Sequence, residues 1–141
     1  MGAFLEMGML GVSEFRAAVA AMDAAISAGS REIVSLAAAR VITDAQSNFV
    51  GSHRKGAPHV GGDRPNVVSG TLRRSIRGDG MRMDALGSWT TRVGPQTVYA
   101  RAIELGNPHS HSGAYPYFGP AVLKNRGLIT AIAIGAWSKA I

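Results

Sequence analysis

The 141-residue sequence contains no cysteine. That removes disulfides, thiolate nucleophiles and cysteine-ligated zinc together, and it leaves the redox compartment open. Aromatic residues are sparse, at 6%. Acidic residues are also few: nine Asp and Glu stand against fifteen Lys and Arg, for a net charge of +6. Long apolar runs are missing as well. The longest near the C-terminus, residues 127–137, covers 11 positions before Lys139, whereas crossing a bilayer takes about 20. The N-terminal MGAFLEMGMLG has no basic start, and Glu6 interrupts its apolar run, so it does not read as a signal peptide. Glu6 also stands where myristoylation of Gly2 would want Ser or Thr. These features predict a soluble protein without a membrane anchor.

An apolar content of 46% excludes wholesale disorder. The length suits one domain that buries about two-thirds of its unfolded surface. We expect an N-terminal arm over residues 1–12 and a single domain over 13–141. The arm is Gly-rich and carries Phe4, Leu5, Met7, Met9 and Leu10. It is either a floppy terminus or a segment that orders against a neighbouring subunit, and its apolar side chains favour the second.

Ser13 is a good N-cap, and an Ala-rich helix is predicted from there to about Val50. Gly29-Ser30 predicts a kink or a restart within it. Residues 51–68 read as a loop with two Pro, four Gly, two His and three basic residues. That is longer than the ~12 to 15 residues usual for an unstructured connection. Leu72 to Arg77 reads as a strand start, and 81–93, with Leu86, Trp89, Thr91 and Val93, as further strand. The expectation is a two- or three-stranded antiparallel sheet ending at Gly94-Pro95. Thr97 to Leu105 has an apolar stripe at helical spacing, with Thr97 as N-cap and Gly106 as a left-handed terminator. A polar loop from His109 to Gly113 leads to Tyr115-Pro116-Tyr117-Phe118. Pro120 then opens a last helix to about Lys139, weakened by Gly127 and Gly135. The fold class is α+β: a long N-terminal helix packed on a small antiparallel sheet, with a short helix and a C-terminal helix.

Chemistry is thinly supported. The sequence has no G-x-S-x-G, no carboxylate pair at diagnostic spacing and no phosphate loop, since Asp63 follows Gly61-Gly62. A metal site built from Glu104, His109 and His111 lacks a spacing that would fix its geometry. We therefore expect no enzyme activity and no cofactor. Glu104 either pairs with Arg101 three residues earlier or reaches an Arg of a neighbouring subunit, among Arg73, Arg74 and Arg77. The aromatic cluster Tyr115, Tyr117 and Phe118 either anchors the returning chain on the core or faces a partner. Between residues 51 and 84, seven basic residues stand against three Asp. Arg54, Lys55, Arg64, Arg73, Arg74 and Arg77 are thus candidates for a basic surface that grips DNA phosphates without reading sequence.

The order of these pieces carries a resemblance. Gly70-Thr71-Leu72-Arg73-Arg74-Ser75-Ile76 fits a G-x-L-x-x-S-I segment. Val93-Gly94, Tyr99-Ala100, Glu104-x-Gly106 and Pro116-x-Phe118-x-Pro120-Ala121 follow it. Over roughly residues 70–125, with the long N-terminal helix, the chain resembles the small head–tail joining proteins, also called neck or tail-completion proteins, of long-tailed double-stranded DNA bacteriophages. Tyr117 departs from the pattern, which often has a second Pro there or runs Pro-Phe directly. The resemblance implies a structural virion protein that forms a hexameric or dodecameric homo-oligomeric ring at the head–tail junction. It would be made in the host cytoplasm and incorporated in the virion neck. Its implied partners are a connector or head-closure protein and a tail-terminator or tail-tube protein, with nonspecific contact to packaged DNA and none with a membrane. The expected contact residues are Phe4, Leu5, Met7, Met9 and Leu10, then His109, His111, Tyr115 and Tyr117, and the basic segment above. The alternative is a small nonspecific DNA-binding module using residues 54–82.

Overall fold

A 46-residue helix, α1 (Gly2–Ser47), organises the molecule. At 1.5 Å per residue it is about 69 Å long. The computed structural model describes residues 2–51, 62, 64, 65, 67, 69–109 and 113–140, with side chains from residue 11 to residue 139. The order after α1 is α2 (Thr71–Ser75), β1 (Arg77–Gly78), β2 (Arg82–Met83), β3 (Trp89–Thr90), β4 (Val93–Gly94), α3 (Ala100–Leu105), α4 (Phe118–Arg126) and α5 (Leu128–Ala140). This is an α+β fold, a long helix with a small antiparallel sheet set and C-terminal helices.

α1 differs from expectation at its start and at its middle. It begins at Gly2 rather than Ser13, so the expected arm is helical in its backbone, and it passes through Gly29-Ser30 without a break. Ala-rich sequence on both sides carries the helix across a residue that costs about 1 kcal/mol. Gly29 is buried, so its missing side chain permits close packing there. The C-terminal part of α1 supplies the core. Ala45 and Phe49 cluster with Leu72, Ile76, Ala100, Tyr117 and Ala121, flanked by Ile42, Val67, Ile103 and Phe118. By contrast, every residue from 11 to 24 is exposed.

The segment expected to begin a strand is instead the single-turn helix α2. Leu72 and Ile76 are both buried. Positions i and i+4 share a face in a strand and in a helix alike, so the pattern cannot separate the two. Hydrogen bonds decide it: Arg74 N–H donates to the Gly70 carbonyl, and Ser75 Oγ to the Leu72 carbonyl at 2.7 Å.

The strands form one nested hairpin of two short antiparallel pairs, β1 with β4 and β2 with β3. Arg77 faces Gly94, and Met83 faces Trp89. Asp79 joins the two pairs. Its N–H donates to the Arg92 carbonyl and its Oδ1 accepts the Arg92 N–H at 2.9 Å. That bond, above all, holds the Asp79 carboxyl below its ordinary pKa. Leu86, expected inside a strand, lies at the exposed hairpin tip. There Asp84 Oδ1 accepts the N–H groups of Leu86 and Ser88 and forms the turn. The hairpin leans on α1 through Trp89. Its Nε1 donates to Ser27 Oγ at 3.1 Å, and the Arg31 guanidinium sits 5.5 Å from the ring centroid.

The expected C-terminal helix is two helices. α4 begins at Phe118, two residues before Pro120, and meets α5 at Gly127, while Gly135 causes no interruption. α4 is tied to α1 by Asp44. Asn125 Nδ2 donates to Asp44 Oδ2 at 2.6 Å and to the Ala121 carbonyl at 2.9 Å. Lys124 Nζ lies 3.1 Å from Asp44 Oδ1. The Asn125 bond first, and Lys124 second, hold the Asp44 carboxyl below its ordinary pKa. Because the folded pKa is depressed, the network stabilises the fold above the unfolded carboxyl's pKa. That contribution disappears as pH falls through the lower, folded value. Asp44→Ala is expected to cost about 1 kcal/mol at pH 7, a charged hydrogen bond discounted for partial exposure. Urea unfolding should show the gap to the parent shrinking steadily below pH 4. A gap independent of pH would rule out the carboxylate as its source.

Candidate docking surface

α3 is too short to be stable alone, and its position comes from what it holds. It starts at Ala100, three residues after Thr97, whose carbonyl accepts the Ala100 N–H while its side chain makes no cap. Gly106 ends it with φ 81° and ψ 164°. That is a glycine-only extended conformation rather than the expected left-handed helical one. It turns the chain away at once, and the chain then returns antiparallel, with Tyr115 N–H donating to the Ile103 carbonyl at 2.8 Å.

The central element is Glu104. Its Oε2 accepts the N–H groups of Tyr117 and Phe118 at 2.9 and 3.0 Å, and its Oε1 accepts that of Gly119 at 2.8 Å. These are amides at the N-terminus of α4, where a helix leaves donors unsatisfied and its dipole favours negative charge. The α4 flank itself provides no side-chain cap, so a carboxylate from another helix takes that part. Within the chain, Glu104 is bonded to these amides, and among the described residues it makes no ion pair with Arg101. Of the metal set considered with it, His109 is exposed and His111 lies outside the described residues. Among the described residues no group of three or more His, Asp or Glu is arranged to hold a metal.

Tyr117 is fully buried, its ring centroid 4.9 Å from that of Phe49 and tilted 51°. Asn48 Nδ2 donates to its carbonyl at 2.8 Å. Burial first, and then the Glu104 charge, push its phenol up to about 12. Tyr117 is therefore the anchor on the core and not a partner contact, which corrects that expectation; Tyr115 is half-buried.

The other expected contact residues are dispersed. His109 is exposed, its N–H donating to Asn107 Oδ1 at 3.0 Å in a local turn. His111, Arg54 and Lys55 lie outside the described residues, as do the side chains of Phe4, Leu5, Met7, Met9 and Leu10, whose backbone belongs to α1. Arg64, Arg73, Arg74 and Arg77 are all exposed, the last three on α2 and β1. Arg74 Nη2 donates to the Ser69 carbonyl at 3.2 Å, and Arg82 pairs with Asp79 at 3.0 Å.

Two surface features went unread in the sequence. One is an open, mostly apolar groove of about 320 Å³ beside α3, lined by Pro95, Val98, Arg101, Leu105 and Phe118 among others. Val98 and Leu105 on its rim are exposed. The other is the apolar side of the N-terminal half of α1, with Val12, Phe15, Val19, Met22 and Ile26 in solvent. The apolar periodicity of 15–26 was visible. What the sequence hides is that nothing among the described residues covers it.

Gly119 offers a sharp test of the Glu104 arrangement. A Cβ built there lies 2.9 Å from Glu104 Oε1, and three hydrogen bonds keep that carboxylate from moving aside. Glu104→Ala is expected to cost about 2–3 kcal/mol, the loss of a charged acceptor from partly buried amides. Gly119→Ala should destabilise the parent but add little in the Glu104→Ala background, a coupling of about 1 kcal/mol in a double-mutant cycle. Additive losses in chemical unfolding would mean that the carboxylate is not held as described.

Comparison with known proteins finds no matching family model, no matching curated protein and no matching solved structure. Among the described residues, no helix is long and apolar enough to cross a membrane.

Proposed function

We propose that this chain is an assembly protein, a ring-forming component of the head–tail junction of a long-tailed bacteriophage. One observation carries the reading. A projecting helix and a C-terminal helix leave large apolar side chains in water, Phe15, Met22, Ile134 and Trp137 among them. Exposed apolar surface on this scale marks a site of association. The resemblance supplies the kind of association. Its motif positions also have structural work in this chain: Leu72, Ile76, Ala100 and Ala121 are buried, and Glu104 binds Gly119 beside them. On this reading the core is a rigid mount, and contacts with connector and tail proteins fall on its exposed helical faces. Electron microscopy of the purified protein, alone and mixed with tail components, is expected to reveal rings or ring-capped tails. Monomers with no complex under any mixture would overturn the proposal.

A second reading, nonspecific DNA binding, is favoured by the exposed Arg73, Arg74 and Arg77 on α2 and β1. The two readings are compatible, since DNA passes through the lumen of such a ring. Each phosphate neutralised contributes about 0.9 to the slope of log affinity against log salt. Replacing Arg73 and Arg77 by Ala is expected to lower that slope by about 2 on duplex DNA. No binding at low salt would exclude DNA contact by this surface.

A further inference from the structure

The two uncovered apolar faces differ in charge, and the difference points to what covers them. On α1, Val12, Phe15, Val19, Met22 and Ile26 recur at alternating spacings of three and four, the seam along which helices pair. All five are exposed, Phe15 at 69% and Met22 at 61%. The seam runs on into Gly29, which is buried, and Ile33, which is half-buried. The second face belongs to α5, LITAIAIGAWSKA, which is apolar around its whole circumference. Such a helix is normally buried on all sides. Here one side is covered, with Ala136 buried and Ile132 and Ala133 half-buried. The other exposes Ile134 at 64% and Trp137 at 48%.

Residues 2–26 carry Glu6, Glu14 and Asp23 against Arg16, an acidic helix in a chain of net charge +6. α4 and α5 carry Lys124, Arg126 and Lys139 and no acidic residue. Pairing two copies of the α1 seam sets acidic against acidic, and pairing two α5 faces sets basic against basic. Seam on α5 matches both apolarity and charge. Within one chain, one side of α5 is already packed on α1, while Ile134 and Trp137 on its outer side are exposed and available to another copy.

We propose that the α1 seam of one copy, residues 12–26, docks on the outer α5 face, Ile134 and Trp137, of a second copy of this chain. The interface joins two different patches, so each copy gives one and receives one. Repeated about an axis whose rotation returns to the first copy, that closes a ring. The inference rests on the assembly reading above and names the contact that would build the ring.

Two pairs of variants test it. Phe15→Glu/Met22→Glu disables the seam, and Ile134→Glu/Trp137→Glu disables the receptor. All four positions are exposed, so both should keep the parent's circular dichroism. Glu14→Lys/Asp23→Lys and Arg126→Glu/Lys139→Glu form a milder pair that leaves the apolar residues in place. Sedimentation velocity is expected to find the parent oligomeric and each variant alone monomeric. The seam and receptor variants mixed should give a species of twice the 14.7 kDa chain mass and nothing larger, because each retains one working half. A receptor variant that associates by itself would mean seam-on-seam pairing and overturn the proposal, as would a mixture that stays monomeric. Rings persisting in both variants would overturn this contact and leave the assembly reading standing. A parent that is monomeric at about 100 μM would also overturn the contact, while the mixture with tail components decides the broader reading separately.

Discussion

The arrangement of this chain depends on one carboxylate. Glu104 gathers the amides of Tyr117, Phe118 and Gly119 and so fixes where α4 begins. With that start fixed, Tyr117 lies against Phe49, and Asn125 comes within 2.6 Å of Asp44 two turns further on. Three elements distant in sequence, α1, α3 and α4, are thereby locked at one end of the long helix. The core they enclose is small, and several of its members are alanines. Polar bonds with defined geometry therefore carry much of the orientation that a larger apolar core would supply by shape. A fully buried Tyr whose backbone amide bonds to Glu104 of α3 and whose carbonyl bonds to Asn48, just past α1, is what that strategy looks like locally.

How much of this the sequence disclosed follows from the range of each interaction. The α+β class, the long helix, the hairpin strands near Trp89 and Val93, and the aromatic anchor were legible, because propensity and short-range periodicity encode them. α2 was misread because Leu72 and Ile76 satisfy both periods. The continuity of α1 through Gly29 was missed because the cost of one glycine is outweighed by the summed propensity of the Ala-rich sequence around it. The role of Glu104 was invisible for a different reason. A carboxylate 13 residues before the amides it binds has no local signature, and a nearby Arg101 offers a decoy pairing. Of the two roles open to Tyr117, core anchor or partner contact, the structure shows the first; an aromatic in a Pro-rich turn reads the same whether it faces solvent or Phe49.

The length of α1 is the unusual quantity. Its last half suffices to build the core, whereas residues 11–24 touch nothing that buries them. Strong helix formers keep this half helical without tertiary support, and Ala supplies that here. An Ala-rich helix with larger apolar residues at every third or fourth position is stiff before it meets a partner. It therefore loses less conformational entropy on docking than a flexible arm would.

The same logic bears on α5. An all-round apolar helix on a monomer surface is a solubility liability, and Ile134 and Trp137 lie outside the buried core cluster. In the proposed assembly that outer face becomes an inner face. Glu104 and Asp44 then fill a second role. By fixing α4, and hence the axis of α5 relative to α1, they set the angle between the receptor face and the projecting seam of one copy. In an interface that repeats from copy to copy, that angle determines whether the contacts close into a ring or run on as a filament. A carboxylate and its three amides inside one chain would in this way govern the symmetry of the assembly outside it.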